Sequence, residues 1–167
     1  MKKLICLIIA LVLIELTHET VAGSNVKVVD GDSLELGAKR IRLIGIDAPE
    51  YFQECYDEKG KPYQCGQLAK AYLEEMIEKQ SAVGKKVKCV AEDVDRYKRD
   101  LSVCYAGDVN LNLEMIKKGL AVAYKHERYE LAQKRAKERK IGIWKGKFMR
   151  PELYRALHRR DEKQKNK

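Results

Sequence analysis

The spacing of apolar and polar residues predicts that the folded part of the chain begins with β-strands. Residues 26–32 and 33–36 are rich in β-branched and aliphatic side chains and predict two strands. Residues 40–47 predict a third strand, which ends shortly before a proline. Short turns join the three, so they form a meander. The meander places Asp32 and Asp47 at strand ends, where the direction of the backbone fixes the side chain.

The period of the apolar positions then changes. Residues 48–65 show no periodicity and predict a long surface loop. In residues 66–79 apolar positions recur every three or four residues between charged ones, which predicts an amphipathic helix whose apolar stripe belongs to the core. Residues 86–92 and 100–105 predict two further strands.

Two helices are predicted in the last third of the chain. Asn110 or Asn112 is a suitable N-cap for a helix that ends at Gly119, and a final helix extends from Glu127 to Lys140. The pattern alone indicates a small, mostly antiparallel α+β domain. The order of its elements suggests a small closed sheet of the OB type.

Residues 1–23 have the layout of a secretory signal peptide. Two lysines precede an apolar run at residues 4–14, and small residues follow at 21–23. An uncleaved membrane anchor is the alternative, but the run is well below the ~20 residues that a spanning helix needs. We therefore expect a secreted or periplasmic protein with no stable membrane association after cleavage.

The chain is basic, with a formal net charge of +9, and much of that charge lies near its end. Residues 145–167 contain nine Lys or Arg against three acidic residues. A basic surface favours nucleic acid and other polyanions, so we expect residues 151–167 to form a basic tail that adds affinity but no chemistry. For residues 160–167 the favoured interpretation is a solvated, partly disordered terminus.

Four cysteines follow the predicted signal peptide: Cys55, Cys65, Cys89 and Cys104. An even number in an exported chain favours two disulfides over a metal site, which would be expected to show a CxxC pair or a nearby histidine. Four cysteines allow three pairings. Proximity selects Cys55 with Cys65, and Cys89 with Cys104 across adjacent strands.

Charged residues gather at the predicted strand ends. Asp32, Asp47 and Glu50 supply carboxylates that suit a hard cation, whereas Arg42 and Arg99 supply guanidinium groups that bind phosphate. Phosphodiester hydrolysis uses both kinds of group. Each residue also has an ordinary interpretation as a turn residue, a surface carboxylate or a solvated hairpin charge.

Five motifs, in this order, resemble the staphylococcal nuclease family. They are Val29–Ser33, Arg42–Glu50, Asp95–Arg99, Asn110 with Gly119–Tyr124, and Gly142–Trp144. The four cysteines resemble those of secreted proteobacterial members. The resemblance implies an OB-fold for residues 24–150, with a five-stranded antiparallel β-barrel and three α-helices.

The resemblance also implies a metal site and a base. Asp32 and Asp47 match the family residues that hold a calcium ion, together with the backbone carbonyl at the position of Ala48. Two carboxylates and a carbonyl leave positions for water and a phosphate oxygen. Glu50 matches the residue usually assigned as general base for the attacking water.

The remaining matches concern the substrate. Arg42 and Arg99 match two arginines that hold the scissile phosphate, and Tyr97 and Tyr124 match tyrosines beside the bound nucleotide. Either tyrosine could equally be an ordinary aromatic at the rim of the barrel. Lys98 departs from the family pattern, which prefers glycine at this position of the turn.

The sequence thus predicts a monomeric, Ca²⁺-dependent nuclease that cuts DNA and RNA. Two alternatives belong to other functional classes. An OB barrel could bind single strands without cutting them, but such relatives have lost the carboxylates that are present here. A structural or assembly role in the cell envelope would require only the fold and the disulfides, and it would leave the charged positions unexplained.

Overall fold

The computed structural model describes residues 26–165, with side chains described as far as residue 160. The predicted signal peptide, residues 1–23, lies outside the described residues. The strands are β1 Val26–Asp30, β2 Ser33–Leu36, β3 Lys39–Leu43, β4 Ile46–Asp47, β5 Glu54–Tyr56, β6 Pro62–Gln64, β7 Val87–Val94, β8 Asp100–Ala106, β9 Val109–Asn110 and β10 Val122–Ala123. The α-helices are α1 Cys65–Ser81, α2 Leu111–Lys117, α3 Glu130–Glu138 and α4 Pro151–Lys165.

A curled sheet forms the main part of the fold. Its strands pair in the order β1-β2-β3-β8-β7, and β9 pairs with β8. The pairing of β3 with β8 is parallel, with Ile41 opposite Asp100, whereas the other pairs are antiparallel. The connection through α1 and β7 is long enough to allow a parallel pair. The OB-like α+β fold is confirmed, although the sheet is open and mixed and four helices replace the expected three.

Gly45 divides the strand predicted over residues 40–47 into β3 and β4. Its φ is 79°, and a Cβ there would lie 2.8 Å from the ring of Tyr129. Glycine adopts this left-handed conformation without strain, so the chain can turn sharply. The turn moves Asp47 into a separate two-stranded sheet, where it lies opposite Val122 of β10.

The predicted loop of residues 48–65 contains a short hairpin of β5 and β6. Strands of three residues are too short to show a period of two in the sequence. Cys55 on β5 forms a disulfide with Cys65 at the start of α1, and both cysteines are fully buried. The disulfide therefore links the hairpin to the start of α1. The loop that carries Glu50 lies directly before the hairpin.

The second predicted disulfide is also present. Cys89 on β7 and Cys104 on β8 lie directly opposite each other, with their Cα atoms 4.1 Å apart. The pairing chosen from proximity is therefore confirmed for all four cysteines.

The main core lies between the concave face of the sheet and helices α1 and α2. Its fully buried side chains include Leu34, Leu43, Leu73, Leu111 and Met115. Burial of each such side chain stabilises the fold by roughly 1.5–3 kcal/mol relative to its exposure. The sheet is thus held rigidly at the strand ends that carry Asp32 and Asp47.

Helix α4 replaces most of the predicted basic tail. Pro151 occupies its first turn, where a missing N–H costs nothing, and the helix continues to Lys165. Residues 160–165 are therefore helical, where the sequence favours a partly disordered terminus. Within residues 26–165, no helix is both long and apolar enough to cross a bilayer.

Candidate active site

Three strand ends bring Asp32 and Asp47 to the same guanidinium group. Nη2 of Arg42 lies 3.0 Å from Oδ2 of Asp32 and 2.8 Å from Oδ1 of Asp47. Ser33 lies opposite Arg42 in the β2–β3 register, and the carbonyl of Asp32 accepts a hydrogen bond from the amide of Leu43. Because backbone pairing fixes all three positions, the cluster is rigid before any ligand binds.

The pKa of the Asp32 carboxyl is shifted by its surroundings. Burial raises the pKa of its carboxyl to about 6, while the positive charge of Arg42 acts in the opposite direction. Oδ2 also accepts a hydrogen bond of 3.1 Å from the amide of Ala48, and Oδ1 accepts one from the hydroxyl of Ser33. A carboxylate buried to this degree requires positive charge beside it.

Arg155 of α4 completes the cluster from the opposite side. Its Nη1 lies 2.8 Å from Oδ1 of Asp47 and 2.7 Å from Oε1 of Glu50, and its Nη2 donates to Oδ2 of Asp47 at 3.0 Å. Burial disfavours its charge, but the hydrogen bonds to Asp47 and Glu50 outweigh burial and raise its pKa. Residues 151–165 therefore do not form a tail remote from the site.

The sequence carries a signal for α4 but none for the position of Arg155. Pro151 followed by Glu152 is typical of a helix start, and Leu153 and Leu157 are spaced by four residues. This pattern predicts a short amphipathic helix. It does not show which surface the helix packs on, because the contact with Asp47 spans more than a hundred residues of sequence.

The loop that carries Glu50 is held by Gln53 and Gly66. Gln53 is fully buried: its Oε1 accepts from the amide of Glu50 at 3.2 Å, and its Nε2 donates to the carbonyl of Met149 at 2.7 Å. A Cβ at Gly66 would lie 1.7 Å from the carbonyl oxygen of Glu50. Because only glycine fits there, the first turn of α1 can support the backbone of the glutamate.

Arg99 and Tyr97 lie on the turn between β7 and β8, directly before the strand that pairs with the strand of Arg42. Nε and Nη2 of Arg99 both lie 2.8 Å from Oδ2 of Asp95. Burial opposes the ionised form of Asp95, but hydrogen bonds from Arg99 outweigh it and lower the pKa of that carboxyl. Lys98 has a φ of 61°, so it keeps the left-handed turn that glycine would adopt.

The two predicted substrate tyrosines occupy different surroundings. Tyr97 is 53% exposed, and its hydroxyl accepts a hydrogen bond of 2.8 Å from Arg96. Tyr124 is half-buried, and its hydroxyl donates to Oε1 of Glu152 on α4 at 3.3 Å. Its amide donates to the carbonyl of Gly45, directly after the strand that pairs with β4. Tyr124 therefore lies close in the fold to Asp47, whereas Tyr97 lies on the turn between β7 and β8.

A family model described as staphylococcal nuclease homologue matches residues 40–146, which is well over half of the chain. The chain belongs to the staphylococcal nuclease family. The match covers the predicted residues Arg42, Asp47, Glu50 and Arg99, but it ends before α4 and therefore gives no role to Arg155.

Curated relatives agree with this assignment. The chain is 35% identical over 128 residues to an uncharacterized endonuclease of Haemophilus influenzae, an alignment that covers 71% of this chain and 64% of that protein. It is 30% identical over 129 residues to the thermonuclease of Staphylococcus intermedius, with 71% and 73% covered. It is also 31% identical over 138 residues to the succinoglycan biosynthesis protein ExoI of Rhizobium meliloti, with 78% and 70% covered. Nuclease homologues therefore support a nuclease function.

The donor set fits the hard cation that the family implies. Asp32 and Asp47 are both buried, and their oxygens face the same positively charged nitrogen of Arg42. Oxygen donors of this kind suit Ca²⁺. Among residues 26–160, no three His, Cys, Asp or Glu side chains form a ready-made metal cluster. A cation at this place would therefore rely on two carboxylates, a carbonyl, water and substrate.

Proposed function

We propose that this protein is a secreted or periplasmic Ca²⁺-dependent nuclease that hydrolyses DNA and RNA with little sequence preference. The observation that carries the proposal is the buried pair of Asp32 and Asp47, which both contact the guanidinium group of Arg42. Glu50 belongs to the same cluster, because Arg155 contacts both Glu50 and Asp47. By family implication the products carry 3′-phosphates.

Asp32, Asp47 and the carbonyl of Ala48 would hold the calcium ion. When bound, the ion supplies a Lewis acid that polarises a phosphate oxygen and a water molecule. The positive charges of Arg42 and of the cation would offset the cost of burying the two carboxylates. Their rigid positions at the strand ends mean that little reorganisation is needed during the reaction.

Arg42 would donate hydrogen bonds to a non-bridging oxygen of the scissile phosphate. Charge builds on that oxygen as the attacking water approaches phosphorus, so the interaction strengthens in the transition state. Arg99 would bind the same phosphate from the β7–β8 turn, where Asp95 orients its guanidinium plane. Tyr97 and Tyr124 would contact the nucleotide on either side.

Glu50 would accept the proton of the attacking water. A carboxylate is a weak base, so it can act only on water that is already polarised. In this structure Oε1 of Glu50 accepts a hydrogen bond from Nη1 of Arg155. Arg155 must therefore release Glu50 or share it with the water when the substrate binds.

Arg155 would act as a counter-charge for the carboxylates. Its guanidinium group pairs with Asp47, which is also a proposed calcium ligand. Two cations at one carboxylate repel each other, so Arg155 would compete with a bound calcium ion for Asp47. Displacement of Arg155 toward the phosphate would relieve the competition and add a third positive group to the substrate site.

Export is supported by the two disulfides, because such bonds persist in oxidising compartments.

A non-catalytic nucleic-acid-binding barrel is the alternative function, and the intact set of carboxylates and arginines disfavours it. The name of the Rhizobium relative indicates polysaccharide biosynthesis for that protein. Such a role gives no reason for two buried aspartates around an arginine.

The proposal is tested by incubating the mature chain with plasmid DNA and with RNA. We expect both to be degraded in Ca²⁺ and neither in chelator. End-group analysis should find 3′-phosphates. Binding of both nucleic acids without degradation in Ca²⁺ would contradict the proposal and favour the non-catalytic barrel.

A further inference from the structure

An aromatic groove lies beside the proposed active site and has no role in the chemistry described above. It encloses about 750 Å³ between the β5–β6 hairpin, the segment before α4 and α4 itself. Its lining includes five rings, from Phe52, Tyr56, Phe148, Tyr154 and His158. We refer to these five residues as the aromatic groove.

Two of these aromatic side chains are strongly exposed to solvent. Phe52 is 75% exposed and Tyr56 is 45% exposed. The rings of Tyr154 and His158 already stack on each other, with centroids 3.9 Å apart and an interplanar angle of 29°. Adjacent exposed aromatic side chains are unusual on a protein surface without a ligand, and they are the means by which proteins bind unpaired bases.

The groove borders the proposed active site, because the same two segments of the chain meet at both places. Phe52 follows Glu50 by two residues, and Tyr154 directly precedes Arg155 on α4. The hydroxyl of Tyr154 donates to the carbonyl of Phe52 at 3.4 Å, which joins the two walls of the groove. A strand whose phosphate lies at Glu50 and Arg155 would therefore place its neighbouring nucleotides in the groove.

The charge of the groove suits a polyanion. Lys147 contributes to the lining, and the exposed Arg150 and Arg159 directly follow the lining residues Met149 and His158 in the chain. Glu54 is the one acidic side chain among the lining residues that the structure describes, and its Oε1 accepts a hydrogen bond from Gln64 at 2.9 Å. Cations at the edge can contact phosphates while the rings contact bases.

We propose that the aromatic groove is a subsite for the unpaired bases of a single strand next to the scissile phosphate. This inference rests on the proposed function for the direction of the strand, but the binding itself does not require cutting. A duplex cannot present base faces to the groove, so the subsite favours single-stranded DNA and RNA over duplex. The groove acts by stacking and therefore has little preference among bases.

The test is an equilibrium titration of the mature chain, in chelator, with a fluorescein-labelled thymidine dodecamer and with a duplex of the same length. Phe52→Ala and Tyr154→Ala should each weaken single-strand binding by about ten-fold, the scale of one lost stacking contact, and weaken duplex binding much less. Leu131→Ala is the matched control, because Leu131 is an exposed apolar residue on α3 outside the groove. It should bind both probes as the wild type does.

The fluorescence of Trp144 provides an independent readout of the same titration. It is the single tryptophan of the chain, and its ring lies edge-on to Phe148 with centroids 4.9 Å apart. A base in the groove should quench its fluorescence, and Phe52→Ala should shift the quenching curve together with the anisotropy curve. Quenching by the dodecamer is expected to exceed quenching by the duplex.

Four outcomes bear on this inference, and the first two distinguish it from the proposed function. Weaker single-strand binding of the groove variants, in a wild type that never cuts, would support the groove and contradict the nuclease. A wild type that cuts, with groove variants that bind the dodecamer as tightly as it does, would overturn the groove alone. Equal losses for duplex and single strand would also overturn it. Self-association in sedimentation that Phe52→Ala abolishes would assign the groove to a second copy and overturn the inference.

Discussion

The cluster of carboxylates has a barrel side and a helix side, and the two are built differently. On the barrel side, Asp32, Arg42 and Asp47 lie on paired strands or directly beside them; the two carboxylates are almost inaccessible to solvent, and the Arg42 side chain is 17% exposed. On the helix side, Arg155 comes from α4, which has exposed residues along most of its length, and its side chain is 26% exposed. Rigid positions suit groups that stabilise a transition state, whereas an exposed helix suits a group that must move.

The largest expected effect separates the two sides through turnover. Arg42→Ala should lower turnover by about 10² or more, because it removes a donor to charge that develops in the transition state. Arg155→Ala should lower it by much less, because Arg155 is a counter-charge on a partly exposed helix and not a fixed donor to the phosphate. Saturated rates on a fluorescent oligonucleotide measure both, with circular dichroism as the control for folding. Arg42→Lys keeps the charge and should recover only part of the rate. Equal losses for Arg42→Ala and Arg155→Ala would remove the distinction.

A smaller effect is expected at the proposed calcium ligands. Asp32→Asn and Asp47→Asn should each raise the calcium concentration for half-maximal activity by about ten-fold or more, since each removes one of two charged oxygens. Isothermal titration calorimetry with calcium alone compares the calcium affinities of the variants in the absence of substrate. Asp108→Asn is the matched control, because Asp108 is an exposed aspartate on the turn between β8 and β9, outside the cluster. Unchanged calcium binding in both ligand variants would place the metal elsewhere.

Removal of the whole helix side should alter affinity more than chemistry. A chain that ends after Met149 loses α4, with Arg155 and two rings of the aromatic groove. We expect weaker substrate binding and a flatter dependence of binding on salt, because fewer counterions are released. Turnover at saturation should remain largely intact. A large loss of saturated turnover in a truncated chain that still folds would give α4 a chemical role.

The smallest expected effect concerns competition at Asp47. Arg155→Gln keeps much of the side chain and removes its charge, so calcium alone should bind about 3- to 10-fold more tightly, equivalent to about 1 kcal/mol. Calorimetry without nucleic acid measures this directly. Arg159→Gln, on the same helix and exposed, serves as the control. Weaker calcium binding in Arg155→Gln would show that the arginine supports the metal site rather than competing for it.

The sequence predicted the barrel side because its information is local. Asp32, Asp47 and Glu50 follow short β-rich runs, and their motifs match a family in a fixed order. The cross-strand partners Cys89 and Cys104 were predicted for the same reason, since a single turn between two strands sets their register. The parallel pairing of β3 with β8 follows from the path of the whole chain, which no local pattern reports.

The helix side could not be predicted because its contacts are long-range. Arg155 reaches Asp47 and Glu50 across more than a hundred residues. The residues next to Arg155 in the sequence indicate only a basic, amphipathic helix. The three-residue strands of the β5–β6 hairpin are likewise too short for a period, so the wall of the aromatic groove was predicted as a loop.

The most direct test of the central claim compares the wild type with Glu50→Gln. This change removes the proposed base and keeps the size of the side chain. We predict that the wild type cuts DNA and RNA in Ca²⁺, and that Glu50→Gln cuts about 10² times more slowly or worse while it still binds calcium and oligonucleotide. Cutting by Glu50→Gln at the wild-type rate would contradict the assignment of the base, and with it the account of this site.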